Sequence, residues 1–385
     1  MGALRQPSFV RKKGWRLKKA LFLAFEGSLG SAVGGQQACT RELQQVIRQA
    51  GYDLTEVALP NRLSFLNRVR NRLKPLVYPI CWPSDAAGSV AEAAKRHQAE
   101  TIFFNLIDFL PLAREVKPRI GQGVRLVMLS HGLASADVRE INRIAREMPE
   151  IIRRCPLYPL EAVLKKEREY LRDFDQVVSL AEFEADLCRE SGAKRSDWIP
   201  RMIPDNPLNW KPAEGRLGFV GTLDHPPSME GMVKVLEAWP KEAKMAVQVR
   251  VVSRSRWHGE WLAKKFPQVK YMGPMEGGEL EKEAASWCAF LHPIFCYARG
   301  CSTKLATGLG WRIPCLTTTS GIRGYSIPTQ AVILANQPRF YAEECISLSE
   351  IKTANRARRH LIAALHDYAF SPSDPSEIFW NQTHL

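Results

Sequence analysis

The chain lacks the sequence patterns of several common classes of protein. Its nine cysteines include no Cys-x-x-Cys pair and, with its eight histidines, show no zinc-ligand spacing. We therefore predict neither a metal site nor a disulfide framework. The apolar run at residues 20–25 is too short to span a membrane and begins too late for a standard signal peptide. No helix-turn-helix, zinc-finger or aromatic RNP-like segment occurs, which argues against nucleic-acid binding. We expect a protein of the reduced cytoplasm that needs no cofactor.

The charge of the chain is strongly uneven. The sequence has 385 residues, of which 45% are hydrophobic, enough for two or three domains with buried cores. Of the formal charge of +14, the first 204 residues carry +10, with 33 Lys and Arg against 23 Asp and Glu. Such a field suits anionic lipid headgroups, an acidic glycan or nucleic acid. The basic segments are either solvated or in contact with an anionic membrane surface. They are the arm at residues 1–19 and a segment containing Arg62, Arg68, Arg70, Arg72 and Lys74.

A strand, a glycine-containing loop and a helix follow one another twice in the sequence. The first unit begins with the apolar strand at residues 21–25, a loop ending at Gly34-Gly35 and an amphipathic helix. The segment at residues 205–215 is rich in Pro and Asn, which predicts a linker. A second strand, loop and helix begin at residue 216. The pattern predicts α/β architecture with two Rossmann-like domains, at residues 20–204 and 216–354, and a final region at residues 355–385.

The segment at residues 299–321 combines a loop of small residues, a helix and a buried strand. Gly300, Cys301, Ser302 and Thr303 are expected to present backbone N–H groups at the start of the helix, where the helix dipole favours an anion. Lys304 adds a full positive charge. The strand that follows ends near a second turn, and open α/β sheets bind ligands at the carboxyl ends of their strands. The segment therefore predicts a phosphate site.

Two separated segments resemble those of retaining GT-B glycosyltransferases of the family 4 type. The first is Phe219-Val-Gly-Thr with Pro226-Pro227, and the second contains Gly300, Lys304, Leu309, Pro314, Thr317 and Gly321. The resemblance implies two Rossmann-like domains with parallel sheets that face each other across a cleft. It implies transfer of a sugar, with retention, from a nucleotide-sugar held mainly by the second domain. The acceptor, a glycan, a lipid-linked molecule or a small molecule, would bind to the first domain. The C-terminal helix would pack back on that domain.

The resemblance also implies roles for individual residues. His131, which follows the strand at residues 124–130, would lie near the sugar, and Lys304 with the loop amides would stabilise the leaving diphosphate. These two are the candidate catalytic residues. Tyr297 is a candidate for stacking on the donor, and Arg254 for a phosphate contact. The predicted donor-binding set is Gly34, Gly35, Gly221, Thr222, Arg254, Tyr297, Arg299, Gly300, Cys301, Ser302, Thr303, Lys304 and Thr307.

Four positions depart from the family's pattern. The family's two glutamates, which contact the donor sugar and the ribose, correspond to Arg299 and Thr307. Many members place Arg and Lys against the diphosphate at positions that are Thr222 and Ser228 here. An alternative is therefore a GT-B protein that binds a nucleotide-sugar or a glycan with little or no turnover.

A GT-B sugar-nucleotide epimerase is a further alternative. It would require acidic and histidine side chains that pair across the cleft. Asp108, His131 and Glu184 are the candidates for such a pair.

Overall fold

The computed structural model describes residues 16–30, 34–61, 78, 81–152, 157–241, 246–366 and 378–379. The predicted basic segment with Arg62, Arg68, Arg70, Arg72 and Lys74 lies outside the described residues, as does most of the basic arm. The last residues of that arm, Lys18 and Lys19, belong to the first strand of the fold.

The first half of the chain folds around a parallel sheet of six strands. The strands are β1 (Lys18–Phe25), β2 (Tyr52–Leu59), β3 (Thr101–Asn105), β4 (Arg125–Ser130), β5 (Gln176–Ser179) and β6 (Ser196–Trp198), in the spatial order β2-β1-β3-β4-β5-β6. The helices are α1 (Gly35–Gln49), α2 (Ala86–His97), α3 (Leu110–Val116), α4 (Ala134–Glu147), α5 (Leu160–Leu171) and α6 (Glu182–Glu190). Because helices cover both faces, consecutive strand residues such as Leu21 and Phe22 are both buried.

The second half repeats this architecture. Its strands are β7 (Arg216–Val220), β8 (Gln248–Val252), β9 (Val269–Gly273), β10 (Ala289–Leu291), β11 (Cys315–Thr317) and β12 (Ile333–Leu334), in the Rossmann order β12-β11-β10-β7-β8-β9. Its helices are α7 (Pro226–Glu237), α8 (Arg256–Lys265), α9 (Gly277–Ala284), α10 (Thr303–Gly310), α11 (Pro338–Ser349) and α12 (Ile351–His366). The prediction of two Rossmann-like units with parallel sheets is confirmed. In the part of the chain that the structure describes, no helix is both long and apolar enough to cross a membrane.

Helices α4 and α7 join the two units. Arg143 on α4 donates to both carboxylate oxygens of Glu230 on α7, at 2.7 and 2.9 Å. The Glu230 side chain is only 1% exposed, so this ion pair is largely removed from water. Ile144 and Met148, also on α4 or at its end, pack into the apolar core of the second unit. The units are therefore held together by both charge and apolar contact.

Two glycine loops meet at the centre of this contact. A Cβ atom on Gly132 would lie 2.3 Å from the backbone nitrogen of Gly300, and one on Gly300 would lie 2.1 Å from the carbonyl oxygen of His131. Both glycines also have positive φ, 133° and 62°. Any other residue would be strained and would separate the loops. The close approach of the two units therefore requires glycine at both positions.

The C-terminal region differs in part from the prediction, because α12 packs on the second unit and not on the first. The residues that join α12 to the second core are Ala354, Leu361 and Leu365. They form one stripe on the helix, which the second unit covers completely. The return to the first unit occurs later, at Phe379. Its ring packs edge-on against Phe103 at 5.6 Å, and its carbonyl accepts a hydrogen bond from Arg125 at 2.8 Å.

Candidate functional site

A cavity of about 270 Å³ lies where the carboxyl ends of the two sheets face each other. The first unit contributes Gly35, Gln36, Cys39, Leu106 and His131. The second unit contributes Thr222, His225, Pro227, Ser228, Ile294, Arg299, Cys301, Ser302, Thr303, Lys304 and Arg323. Most of these residues lie in loops or helix starts that follow strands, where ligands of open α/β sheets bind. The cavity is therefore the candidate site.

The lining of the cavity is electropositive. Arg299, Lys304 and Arg323 line it, and no carboxylate is among its described lining residues. Acidic side chains lie behind the lining. Asp137 is 3.9 Å from the Arg299 Nε, and Asp224 faces Lys304. A cavity with this balance of charge favours an anionic ligand.

Lys304, in the first turn of α10, contacts both the loop after β7 and the first turn of α7. Its Nζ donates to Ser228 Oγ at 2.8 Å and to the carbonyl of Thr222 at 3.4 Å. The stem fills the space beside Gly221, where a Cβ atom would lie 2.2 Å from the lysine Cε. Burial lowers the pKa of Lys304 to about 8, and the charge of Arg323 acts in the same direction. The ammonium group is therefore poorly compensated in the absence of an anion.

A buried hydrogen-bond network holds the start of α10. The Thr317 hydroxyl donates to the His292 carbonyl at 3.2 Å, so its oxygen accepts from His292 Nδ1 at 2.9 Å. This tautomer leaves His292 Nε2 to accept from the Ser302 hydroxyl at 2.8 Å. Burial keeps the pKa of His292 well below its ordinary value, so the ring is neutral. No described residue accepts from the N–H groups of Thr303 and Lys304, which suits an anion at this helix start.

The two amide groups before this helix have protein partners. The Arg299 N–H donates to Asp137 Oδ1 at 2.9 Å, and the Gly300 N–H donates to Glu184 Oε1 at 2.9 Å. Glu184 also accepts from the Leu133 N–H at 2.9 Å. Gly300 is therefore not free to bind a phosphate, in contrast to the sequence-based prediction. Both carboxylates belong to the first unit, so they fasten the loop of the second unit across the cleft.

The His131 ring is held as a neutral tautomer by a chain of hydrogen bonds. The Thr40 hydroxyl donates to the Gln36 carbonyl at 2.9 Å and accepts from Asn105 Nδ2 at 2.9 Å. Asn105 Oδ1 therefore accepts from His131 Nε2, at 2.8 Å, which assigns the Nε2–H tautomer and leaves Nδ1 as an acceptor. Burial lowers the pKa of His131 to about 3, with further lowering from the charges of Arg201 and Arg299. The ring is neutral across the physiological range.

Solved structures share this arrangement of two sheets. Sucrose-phosphate synthase from Thermosynechococcus elongatus aligns with a TM-score of 0.58 at 14% identity, over 90% of this chain and 94% of that one. HepE from Anabaena, solved in complex with UDP and glucose, aligns with a TM-score of 0.58 at 14% identity, over 94% and 98%. The chain has the GT-B fold. This confirms the fold that the sequence resemblance implied.

Another GT-B structure in the comparison is that of the lipopolysaccharide outer core galactosyltransferase WaaB in its apo form. It aligns with a TM-score of 0.55 at 9% identity, over 94% of this chain and 98% of that one. No protein-family model matches the chain, and no curated protein sequence matches it. The relation of this GT-B protein to others is therefore one of structure and not of detectable sequence.

Six predicted donor-binding residues of the GT-B chain do not line the cavity. Arg254 pairs with Glu276, and its side chain is 69% exposed. Tyr297 is 40% exposed and packs edge-on against Phe183 at 5.3 Å. The Thr307 hydroxyl donates to the Thr303 carbonyl within α10. Gly34, Gly221 and Gly300 adjoin lining residues without lining the cavity themselves.

Two of the lining residues that were not predicted from the sequence have basic side chains. Arg323 follows β11, and in the sequence it is marked only by being a basic residue just after the turn at Gly321. His225 precedes α7, with its Nε2 3.6 Å from Asp137 Oδ1. His225 directly precedes Pro226-Pro227 of the first resembling segment, whereas Arg323 lies two residues beyond the end of the second.

The structure also bears on the epimerase alternative and on metal binding. Glu184, one of the predicted acid partners of His131, is fully buried and accepts from two backbone amides.

Within the described ranges, no group of three or more His, Cys, Asp and Glu side chains is placed to hold a metal ion.

Proposed function

We propose that this protein transfers a sugar from a nucleotide-sugar donor to an acceptor hydroxyl group. The observation that carries the proposal is the cavity between the two sheets, which three cations and no described carboxylate line. The N–H groups at the start of α10 add to its affinity for anions. The UDP and glucose named with the HepE structure, and the galactosyltransferase activity named for WaaB, support this class of donor.

We propose specific roles for the lining residues. Lys304 and the amides at the start of α10 bind the donor diphosphate and stabilise the charge that grows as it departs. His131 Nδ1 accepts a hydrogen bond from a hydroxyl group of the sugar and so orients it. We propose retention, with a departing phosphate oxygen taking the acceptor proton, because the described lining offers no carboxylate to act as a nucleophile. The reaction needs no metal or cofactor.

The acceptor would bind to the first unit. We propose a glycan or lipid-linked acceptor and a cytoplasmic location, with peripheral contact to an anionic membrane surface. The net charge of +10 in residues 1–204 supports this contact. We do not propose nucleic-acid binding.

Calorimetry with UDP, GDP, ADP and dTDP tests the donor class. We expect at least one of the four to bind. If none binds at millimolar concentration, the cavity is not a nucleotide-sugar site. For the base that binds, donor hydrolysis and sugar transfer are then measured with a panel of nucleotide-sugars.

A second candidate function is nucleotide-sugar or glycan binding without turnover. The observation that favours it is that the Arg299 and Gly300 N–H groups, which lie next to the cavity, already donate to Asp137 and Glu184. Tight binding of an intact nucleotide-sugar, with neither hydrolysis nor transfer across the acceptor panel, would favour this candidate.

A further inference from the structure

The guanidinium group of Arg323 lies in the cavity on the loop that follows β11. Its Nε donates to the Gly300 carbonyl at 2.8 Å, and its terminal nitrogens donate to the Ser320 carbonyl at 2.8 Å and to the Arg299 carbonyl at 3.4 Å. Every one of these acceptors is a backbone carbonyl. No described carboxylate forms an ion pair with this side chain, although the buried Glu184 is near enough for the charge of Arg323 to act on its pKa.

Arg323 has no ion-pair partner among the described carboxylates, and Lys304 and Arg299 line the same cavity. The charge of Arg323 contributes to the low pKa of both Lys304 and His292. Arg299 differs, because Asp137 lies 3.9 Å from its Nε. Arg323 and Lys304 therefore repel each other, and an anion bound by both would offset that repulsion.

The hydrogen-bonding geometry shows how such an anion would be held. A guanidinium group has five N–H donors, of which three are used here on backbone carbonyls. The carbonyls fix the plane of the group, and the two remaining N–H groups are available to oxygen atoms of a ligand. Because the planar group is held in advance, little side-chain entropy is lost on binding.

We propose that Arg323 is the second phosphate-binding cation of this site and that, with Lys304, it selects a diphosphate ester over a monophosphate. Thr222 and Ser228 bring no charge to the same cavity, so Arg323 supplies what those two positions do not. This proposal rests on the proposed function and assigns a residue to it.

The test compares Arg323→Gln and Arg323→Lys with a matched control, Arg358→Gln. Arg358 also donates through Nε to a backbone carbonyl, that of Arg312, at 2.9 Å, and it stacks on Trp210 away from the cavity. Affinities are measured by calorimetry for UDP, GDP, ADP and dTDP and for the corresponding monophosphates. We expect Arg323→Gln to weaken diphosphate binding about tenfold to a hundredfold. Monophosphate binding should fall less, and Arg358→Gln should change neither.

The pH dependence of binding separates an electrostatic role from a structural one. Lys304 faces Arg323, Asp224 and the neutral His292. Loss of the Arg323 charge should raise the pKa of Lys304, so the pH at which diphosphate binding weakens should move upward in Arg323→Gln. Arg323→Lys keeps the positive charge but loses the planar set of N–H donors. It should therefore lose diphosphate affinity several-fold and leave that pH unchanged. If Arg323→Gln does not fold, Arg323→Lys decides the question through the two ligand classes: the assignment requires its diphosphate affinity to fall more than its monophosphate affinity, and an equal fall contradicts it.

Two outcomes would overturn the assignment. One is an Arg323→Gln variant that binds the diphosphate within twofold of the parent. The other is an Arg323→Gln variant that loses diphosphate and monophosphate affinity equally and whose pH midpoint of binding does not move, which indicates a disturbed loop. Failure of the parent protein to bind any of the diphosphates would instead contradict the proposed function itself.

Discussion

Replacing Lys304 by methionine is the sharpest test of the candidate site. Methionine keeps an unbranched stem that packs beside Gly221 and removes only the charge and the hydrogen bonds to Ser228 and Thr222. A charge-assisted contact to a phosphate contributes roughly 1.5–3 kcal/mol. We therefore expect Lys304→Met to weaken nucleoside-diphosphate binding by about tenfold to a hundredfold at pH 7.

The same substitution should not destabilise the fold. Burial lowers the pKa of Lys304 from 10.5 to about 8, so the charged form is less favourable in the folded protein than in the unfolded chain. At about 1.36 kcal/mol for each pKa unit, and allowing for partial solvent contact, removal of the charge should stabilise the protein by on the order of 1–3 kcal/mol. The gain should be largest below pH 8 and should vanish above the pKa of the unfolded lysine.

Calorimetry at pH 6.5, 7.5, 8.5 and 9.5, together with thermal unfolding, tests both expectations. Binding by the parent protein should weaken as pH rises above about 8, because Lys304 must then take up a proton to bind the diphosphate. The variant should bind weakly at each pH, without this decline. Parent-like affinity in a folded Lys304→Met variant would refute the donor-site interpretation, and a lower unfolding temperature would show that the lysine is structural.

Four further predictions concern the cleft and the surface. Burial raises the pKa of the Glu184 carboxyl from 4.5 to about 7, so the parent protein should lose stability as pH rises from 4.5 to about 7. Glu184→Gln should abolish this loss, which thermal unfolding of both proteins against pH measures. Arg143→Ala leaves the buried Glu230 with fewer partners and should cost about 3 kcal/mol in denaturant unfolding, and small-angle scattering should show a more open molecule. Arg299→Ala should alter turnover or sugar preference more than diphosphate affinity, because Arg299 corresponds to a family glutamate that contacts the donor; equal losses in both would contradict a sugar contact at this position. Flotation with liposomes should require anionic lipid and weaken with salt; equal behaviour with neutral vesicles would contradict membrane contact through the basic half.

The amino-acid sequence determined the repeated strand, loop and helix units, because apolar runs, glycine loops and amphipathic periodicity are local properties of the chain. Lys304 was identified in the same way. It lies in the first turn of α10, directly after a loop of small residues, and the whole anion-binding motif is contiguous in sequence. His131 was also predicted, because it directly follows the buried strand β4.

Only the tertiary structure decided which partners these residues meet. The Gly300 amide had been predicted to face a phosphate, but Glu184, 116 positions earlier in the chain, accepts its hydrogen bond. Arg323 reaches the cavity because β11 lies beside β10 in the sheet and its loop folds back over Gly300. Helix α12 has an apolar stripe that would suit either unit, and no local pattern encodes that its residues pack into the core of the second. Local periodicity specifies an element and the face it buries, whereas the partner of a buried carboxylate or guanidinium depends on contacts between distant parts of the chain.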